Sequence, residues 1–328
     1  MNLFILFPVL IRTGQNSLKY LNTSSLMFFK FGLFMNIAFC INRLALIGLG
    51  VTVSSLIRNC SDSGKLCIWF LVTDLNLNDK ERINKLLLRE KFKGSHHIID
   101  LHLKEEFGEF RSLHGDWTTY GRLQLCDIIN EERILYLDAD LVVEMDILEA
   151  DVIDMKQYAL GAVYGCELPY SLDGAFFMKE FGLPKESMYF NSGILLLDLN
   201  KWRSEKSKEK CLEIARKYPK ELFSHDQSLL NIIFANNFAR LPDKFNCPWL
   251  SFSTRPITAE KMIIHFVGSP KPWDIFGKIF HSGYQTWKGY LDRQWAKSYF
   301  RINTGDLRRA WKIKRSYLNS LVKKIKSR

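Results

Sequence analysis

The residues best placed to do chemistry stand in the stretch R-I-L-Y-L-D-A-D-L-V-V over positions 133–143. There an apolar run ends in two carboxylates, Asp138 and Asp140, separated by Ala139. Carboxylates abutting a buried strand are costly unless they are paired or bound to metal. The one-residue spacing lets both reach a single divalent cation, and Ala139 leaves room for a ligand beside it. Two solvated acids at a strand end are the plainer alternative. Further along, I-I-H-F-V-G-S-P-K-P-W over 263–273 puts His265 at the end of another apolar run, followed by Gly268 and Lys271. A lone histidine on a strand is commonly a core residue, but the turn after this one can bring backbone N–H groups and an ammonium onto a diphosphate. Asp, Asp and His together make a mixed oxygen/nitrogen donor set suited to Mn2+ or Mg2+. Y-F-N-S-G at 189–193 places Asn191 and Ser192 just before a strand, and H-D-Q-S-L-L-N at 225–231 opens a helix with Asp226 and Gln227.

The elements that must position these groups alternate between two periodicities. Short β-rich runs occur at Ile37–Ile41, Cys67–Thr73, His97–Leu101, Ile134–Leu137, Leu160–Tyr164, Ser192–Leu197 and Met262–Phe266. Amphipathic stretches at Asp79–Phe92, Thr118–Ile129, Glu205–Tyr218 and Asp226–Phe234 lie between them, as helices should. The alternation predicts an α/β domain around a mostly parallel sheet, with ligands beyond the carboxyl ends of the strands. Met1–Ile11 is apolar but lacks a basic leader and is too short to span a bilayer. Lys30, Asn36, Asn42 and Arg43 interrupt the apolar stretch Phe28–Val51, which reads as a buried strand entering a turn, not a transmembrane helix. Residues 1–34 are expected to be an accessory extension, with Met35 as an alternative start.

The segment D-A-D-L-V also resembles the nucleophile motif of haloacid-dehalogenase-type phosphatases. That motif needs a later acidic cluster, and none of that pattern follows position 140. Six blocks in order resemble a different family: M-N-I-A-F-C-I-N, W-T-T-Y-G-R, L-Y-L-D-A-D, Y-F-N-S-G, H-D-Q-S-L-L-N and H-F-V-G-S-P-K-P-W, spread over about residues 35–300. Together they are similar to glycosyltransferase family 8, retaining sugar-nucleotide-dependent enzymes, and most of all to its lipopolysaccharide-core glucosyl- and galactosyltransferases. The resemblance implies a GT-A fold over 35–275 and transfer of glucose or galactose from UDP-glucose or UDP-galactose to a lipid-anchored core oligosaccharide. It implies that Asp138, Asp140 and His265 hold Mn2+ or Mg2+ against the donor diphosphate, and that Gly268 and Lys271 contact the phosphates. Cys40, Asn42, His114, Arg122, Ala139 and Ser192 match donor-side positions, with a solvated helix arginine as the lesser alternative for Arg122. Asn191, Asp226 and Gln227 match sugar-facing positions, with Gln227 on the face opposite UDP. One departure stands out. Where the family carries an Asp and, two residues later, an Asn to read uracil and ribose, this chain has Asn42 and Leu44. A weakened member acting as a membrane-bound binding component is therefore the alternative to an active enzyme.

Charge adds a location. The chain carries 46 Lys and Arg against 35 Asp and Glu, a net +11. Residues 301–328 hold ten basic side chains and one acid, so +9 belongs to the tail and the rest is nearly neutral. That distribution argues against a nucleic-acid binder. Asp306–Arg328 reads as a helix in which Leu307, Trp311, Leu318, Leu321, Val322 and Ile325 recur between basic residues, a pattern of interfacial membrane helices. A solvated helix and a calmodulin-like partner are its rivals. The expected region 276–328 is helical, with 304–328 resting on the anionic inner membrane and the protein peripheral on its cytoplasmic face. Seven cysteines without C-x-x-C spacing suggest neither a disulfide framework nor a zinc site.

Overall fold

The structure is a computed structural model that describes residues 34–113, 115–300 and 304–326. In chain order the strands are β1 (Met35–Ile41), β2 (Leu66–Val72), β3 (Ser95–Asp100), β4 (Arg133–Leu137), β5 (Leu141–Val143), β6 (Leu160–Ala162), β7 (Tyr164–Glu167), β8 (Met188–Phe190), β9 (Ile194–Asp198), β10 (Ala239–Arg240), β11 (Cys247–Pro248) and β12 (Ile263–His265). Seven of them form the central sheet in the order β10-β6-β9-β4-β1-β2-β3, in which only β9 runs antiparallel to its neighbours. The α/β class with a mostly parallel sheet is the one the alternation predicts. Along β1, Ile37, Phe39 and Ile41 face one core cluster while Ala38 and Cys40 face the other. A strand covered on both sides has no polar face to show, so its sequence is continuously apolar from Ile37 to Ile41.

A smaller sheet, β11-β12-β5, extends from the end of β4. The helix Leu46–Asn59, which the sequence patterns do not reveal, covers the free edge of β5. Its Thr52 and Ser55 hydroxyls accept the N–H groups of Leu141 and Val143 at 3.0 and 2.9 Å, and Asn59 Nδ2 donates to Val143 O at 2.8 Å. Spaced three and four residues apart, these side chains occupy one helix face and replace the missing strand partner. In the sequence they look like interruptions of an apolar run, which is why the helix is hidden there.

Other elements differ in detail from expectation. Leu160–Tyr164 is not one strand: β6 stays in the central sheet, and the chain then leaves it to pair β7 with β8. Thr118–Ile129 is a 3-10 segment, Thr118–Gln124, followed by the short helix Leu125–Ile128. A β-carbon at Gly121 would come within 3.2 Å of Cys40 Sγ, so this segment runs hard against the end of β1. Glu205–Tyr218 resolves into a helix at Ser207–Lys217 preceded by a separate one at Leu199–Ser204. The C-terminal helix is broken into Thr304–Lys312 and Lys314–Lys326. Among the described residues, no helix is long and apolar enough to cross a membrane.

Candidate active site

Strand order brings the scattered motifs together. Parallel strands β1 and β4 end side by side, placing Cys40 and Asn42 next to Asp138. Because β9 runs the other way, its start meets the end of β4, and Asp138 N donates to Gly193 O at 2.8 Å. Antiparallel pairing of β5 with β12 sets His265 opposite Leu141, and Phe266 N donates to Asp140 O at 3.0 Å. One ligand atom from each of Asp138, Asp140 and His265 then lies within 4.8 Å of the others.

The turn carrying the two aspartates is pinned from behind. Thr52 Oγ1 is 2.9 Å from Ala139 O, and a β-carbon on Gly48 would come within 2.5 Å of the same oxygen. Gly193 is equally constrained, since a β-carbon there would meet His265 Cε1 at 2.4 Å and Asp138 Oδ2 at 2.8 Å.

A chain of amides fixes the role of the His265 Nδ1 nitrogen. Gly193 N–H, a donor without ambiguity, donates to Asn191 Oδ1 at 3.0 Å, and Asn246 Nδ2 donates to the same oxygen at 3.1 Å. Asn246 therefore turns its Oδ1 toward His265 Nδ1, 3.0 Å away, and that nitrogen must carry the hydrogen. In the neutral ring Nε2 is left with its lone pair. It points at Asp140 Oδ1, 3.2 Å distant, a buried carboxylate oxygen with no hydrogen bond. Two electron-rich atoms facing each other without a hydrogen between them suit a divalent cation, which Asp138, Asp140 and His265 would hold. Asp140 Oδ2 is paired to Lys271 Nζ at 2.6 Å. Burial would raise the Asp140 carboxyl, but the charge of the Lys271 ammonium beside it acts the other way and holds it below the usual carboxylate range.

Arg122 is buried, not solvated. Its Nη2 stands 3.2 Å from Asp138 Oδ1, its Nε 3.0 Å from Asp226 Oδ2, and Nη1 donates to Ser192 O. The guanidinium lies 4.2 Å from the centre of the Tyr136 ring, and Tyr136 donates its hydroxyl to Asp138 Oδ1 at 2.7 Å. Asp226 is only 2% exposed, and burial raises its carboxyl against the opposing pull of Arg122. Gln227 Oε1 accepts from Ser192 N at 2.9 Å, Asn191 Nδ2 at 3.2 Å and Ser192 Oγ at 3.3 Å, while its Nε2 donates to Tyr189 at 2.8 Å.

A cavity of about 230 Å3 opens beside these groups, lined among others by Cys40, Asn42, Asp116, Arg122, Asp138 and Trp273. Asn42 accepts Ala45 N–H at 2.9 Å and donates to Asp116 Oδ2. Leu44 is 84% exposed. Gly268 takes a left-handed backbone at φ +71. His114 lies outside the described residues. Asn246, Tyr136, Tyr189, Asp116 and Thr52 are not singled out by the sequence, because a single Asn, Tyr, Asp or Thr carries no spacing signal.

The family model of glycosyl transferase family 8 matches residues 36–276, most of the chain. The chain belongs to that family. Among relatives of the family 8 chain, the lipopolysaccharide 1,3-galactosyltransferase of Salmonella typhimurium is 26% identical over 256 residues, 74% of each chain. The probable glycosyl transferase Gly of Streptococcus gordonii is 29% identical over 184 residues, 55% of this chain and 25% of that one. Glycosyltransferase GlyE of Streptococcus pneumoniae is 27% identical over 174 residues, 50% of this chain and 39% of that one. The chain thus spans a quarter to about half the length of several curated relatives it matches. A crystal structure of the galactosyltransferase LgtC in complex with donor and acceptor sugar analogues superposes with a TM-score of 0.66 at 22% identity, covering 83% of this chain and 98% of that one. That likeness establishes the α/β fold expected for the family.

Proposed function

We propose that this family 8 protein is a retaining glycosyltransferase that moves glucose or galactose from a UDP-sugar to a lipid-anchored lipopolysaccharide or lipooligosaccharide core acceptor. Asp138, Asp140 and His265 would hold Mn2+ or Mg2+. The observation that carries the reading is the bare pair Asp140 Oδ1 and His265 Nε2, 3.2 Å apart beside Asp138. When bound, the cation supplies Lewis acidity toward the departing diphosphate. Lys271, with the N–H groups of the turn after Gly268, adds positive charge where UDP acquires negative charge. Arg122 orients Asp138 and is itself neutralised by Asp226.

The three donors on Gln227 Oε1 engage the lone pairs that a nucleophile would need. This supports a front-face displacement over a covalent glycosyl intermediate. The acceptor oxygen bonds to the anomeric carbon on the face from which UDP leaves, the bond to the β-phosphate oxygen breaks, and the hydroxyl proton passes to that phosphate. Asn191 and Gln227 then guard the opposite face against water. Cys40, Asn42 and Asp116 are assigned to the nucleotide.

The tail supports a location at an anionic membrane, on its cytoplasmic face, with 304–328 as the contact. Trp311 is 71% exposed with Lys314 stacked 3.8 Å above its ring centre, and Leu307, Leu318, Leu321 and Val322 are exposed around it. A catalytically impaired binding component is the second reading, favoured by Asn42, whose amide is committed to Ala45 and Asp116, and by the outward-facing Leu44. Release of UDP from a UDP-hexose without acceptor separates the two. The enzyme reading expects Mn2+-dependent release that Asp140→Asn abolishes, and its absence in the wild type would leave the binding reading standing.

A further inference from the structure

The basic tail touches the candidate phosphate turn directly. Arg309, on the helix Thr304–Lys312, clamps Asp274 with two hydrogen bonds, Nε to Oδ1 at 2.6 Å and Nη2 to Oδ2 at 3.1 Å. The Asp274 side chain is 4% exposed, and its Oδ2 also accepts the backbone N–H of Lys271 at 2.7 Å. Lys271 in turn places its ammonium on Asp140. Three links therefore run from the tail to the aspartate pair, each a charge-assisted contact. The second tail helix secures the dock. Tyr317 packs against Phe276 and Phe280 with ring centres 5.6 and 5.1 Å away, and Ser320 Oγ meets Ser251 Oγ at 2.9 Å, both serines buried. The break at Ile313 lets Arg309 and Tyr317 reach the segment 271–280 from two helices.

We infer that Arg309 is a positioning residue for donor binding: through Asp274 it sets where the Lys271 ammonium stands, so the C-terminal helices complete the donor site as well as offering a basic surface. The inference deepens the donor assignment proposed above and rests on it. Removing the guanidinium leaves Asp274 half-paired, free to swing and carry Lys271 N–H with it. A misplacement of this kind at a binding group is felt at the ligand even when the changed residue lies outside it.

The test uses the full chain. UDP affinity in Mn2+ and steady-state donor KM and kcat are measured for wild type, Arg309→Met, Arg309→Lys, Asp274→Asn and the Arg309→Met/Asp274→Asn pair, with thermal melts alongside. Arg309→Met is expected to raise donor KM and weaken UDP about tenfold while kcat stays within about twofold and acceptor KM is unchanged. Arg309→Lys should recover most of the loss, and the double variant should be no worse than Asp274→Asn alone, since both act through one contact. Unchanged UDP affinity in Arg309→Met would overturn the inference. So would equal losses in kcat, acceptor KM and melting temperature without rescue by lysine, the pattern of a merely structural role. If the wild type itself binds no UDP, the donor assignment fails first, a different result from a wild type that binds and variants that match it.

Discussion

At the scale of single residues, the hydrogen on Nδ1 of the candidate metal histidine is set by two amides in series. Asn246 accepts from His265 Nδ1 and donates to Asn191, which is oriented by Gly193 N–H. Asn246→Ala removes the acceptor that keeps the proton on Nδ1. Mn2+ affinity is expected to fall about 10- to 100-fold, measured by electron paramagnetic resonance titration of free Mn2+, with the fold intact by circular dichroism. His281 makes a second prediction. It is 2% exposed, accepts Gly283 N–H at its Nδ1 at 3.0 Å, and burial, then Lys271, pushes its pKa down to about 4. The unfolded chain takes up a proton near pH 6.5 that the folded one refuses. Stability is therefore full above that pH and drains between 6.5 and about 4, by about 3 kcal/mol in total. Urea denaturation across that range should show the loss in wild type and a flatter profile in His281→Gln. The acids and His265 were legible in the sequence because their spacing and strand-end positions are unusual, whereas Asn246 and His281 gain their meaning only from what the fold sets beside them.

At the scale of elements, the helix Leu46–Asn59 does work that its composition hides. Thr52 satisfies Leu141 N–H and touches Ala139 O, so it holds the aspartate turn and one edge of β5 together. Thr52→Val leaves a buried N–H unpaired and is expected to cost about 2 kcal/mol in chemical denaturation. Gly48→Ala forces a carbon against Ala139 O; metal affinity should drop more than stability does, as paired Mn2+ titration and melting would show. Strands β1, β2 and β4 were readable because each is buried on both faces and carries an unbroken apolar run, Ile37–Ile41, Leu66–Val72 and Ile134–Leu137. Helix Asp226–Ile233 was readable from its polar start. The reversal of β9, which brings Asn191 and Gly193 to Asp138, was not, because strand direction is a property of the sheet and leaves no mark on I-L-L-L-D. The 3-10 turn of Thr118–Gln124 was hidden as well, its apolar spacing being that of a helix.

At the scale of the whole molecule, charge is divided between a nearly neutral domain with a few placed cations and a tail holding +9. If the tail meets an anionic leaflet, each basic residue contributes on the order of 1 kcal/mol near the surface. Sedimentation with vesicles containing phosphatidylglycerol should then carry the full chain down at low salt, lose it as ionic strength rises, and lose it throughout on deletion of 304–328. The proposed chemistry belongs to the site where β4, β9 and β12 converge. It is tested most directly by calorimetric titration of the full chain with UDP, with and without Mn2+, for wild type and Asp140→Asn. The proposed arrangement predicts binding that needs Mn2+ and vanishes in the variant. No binding of UDP at millimolar concentration with Mn2+ present, or equal binding by wild type and Asp140→Asn, would contradict it.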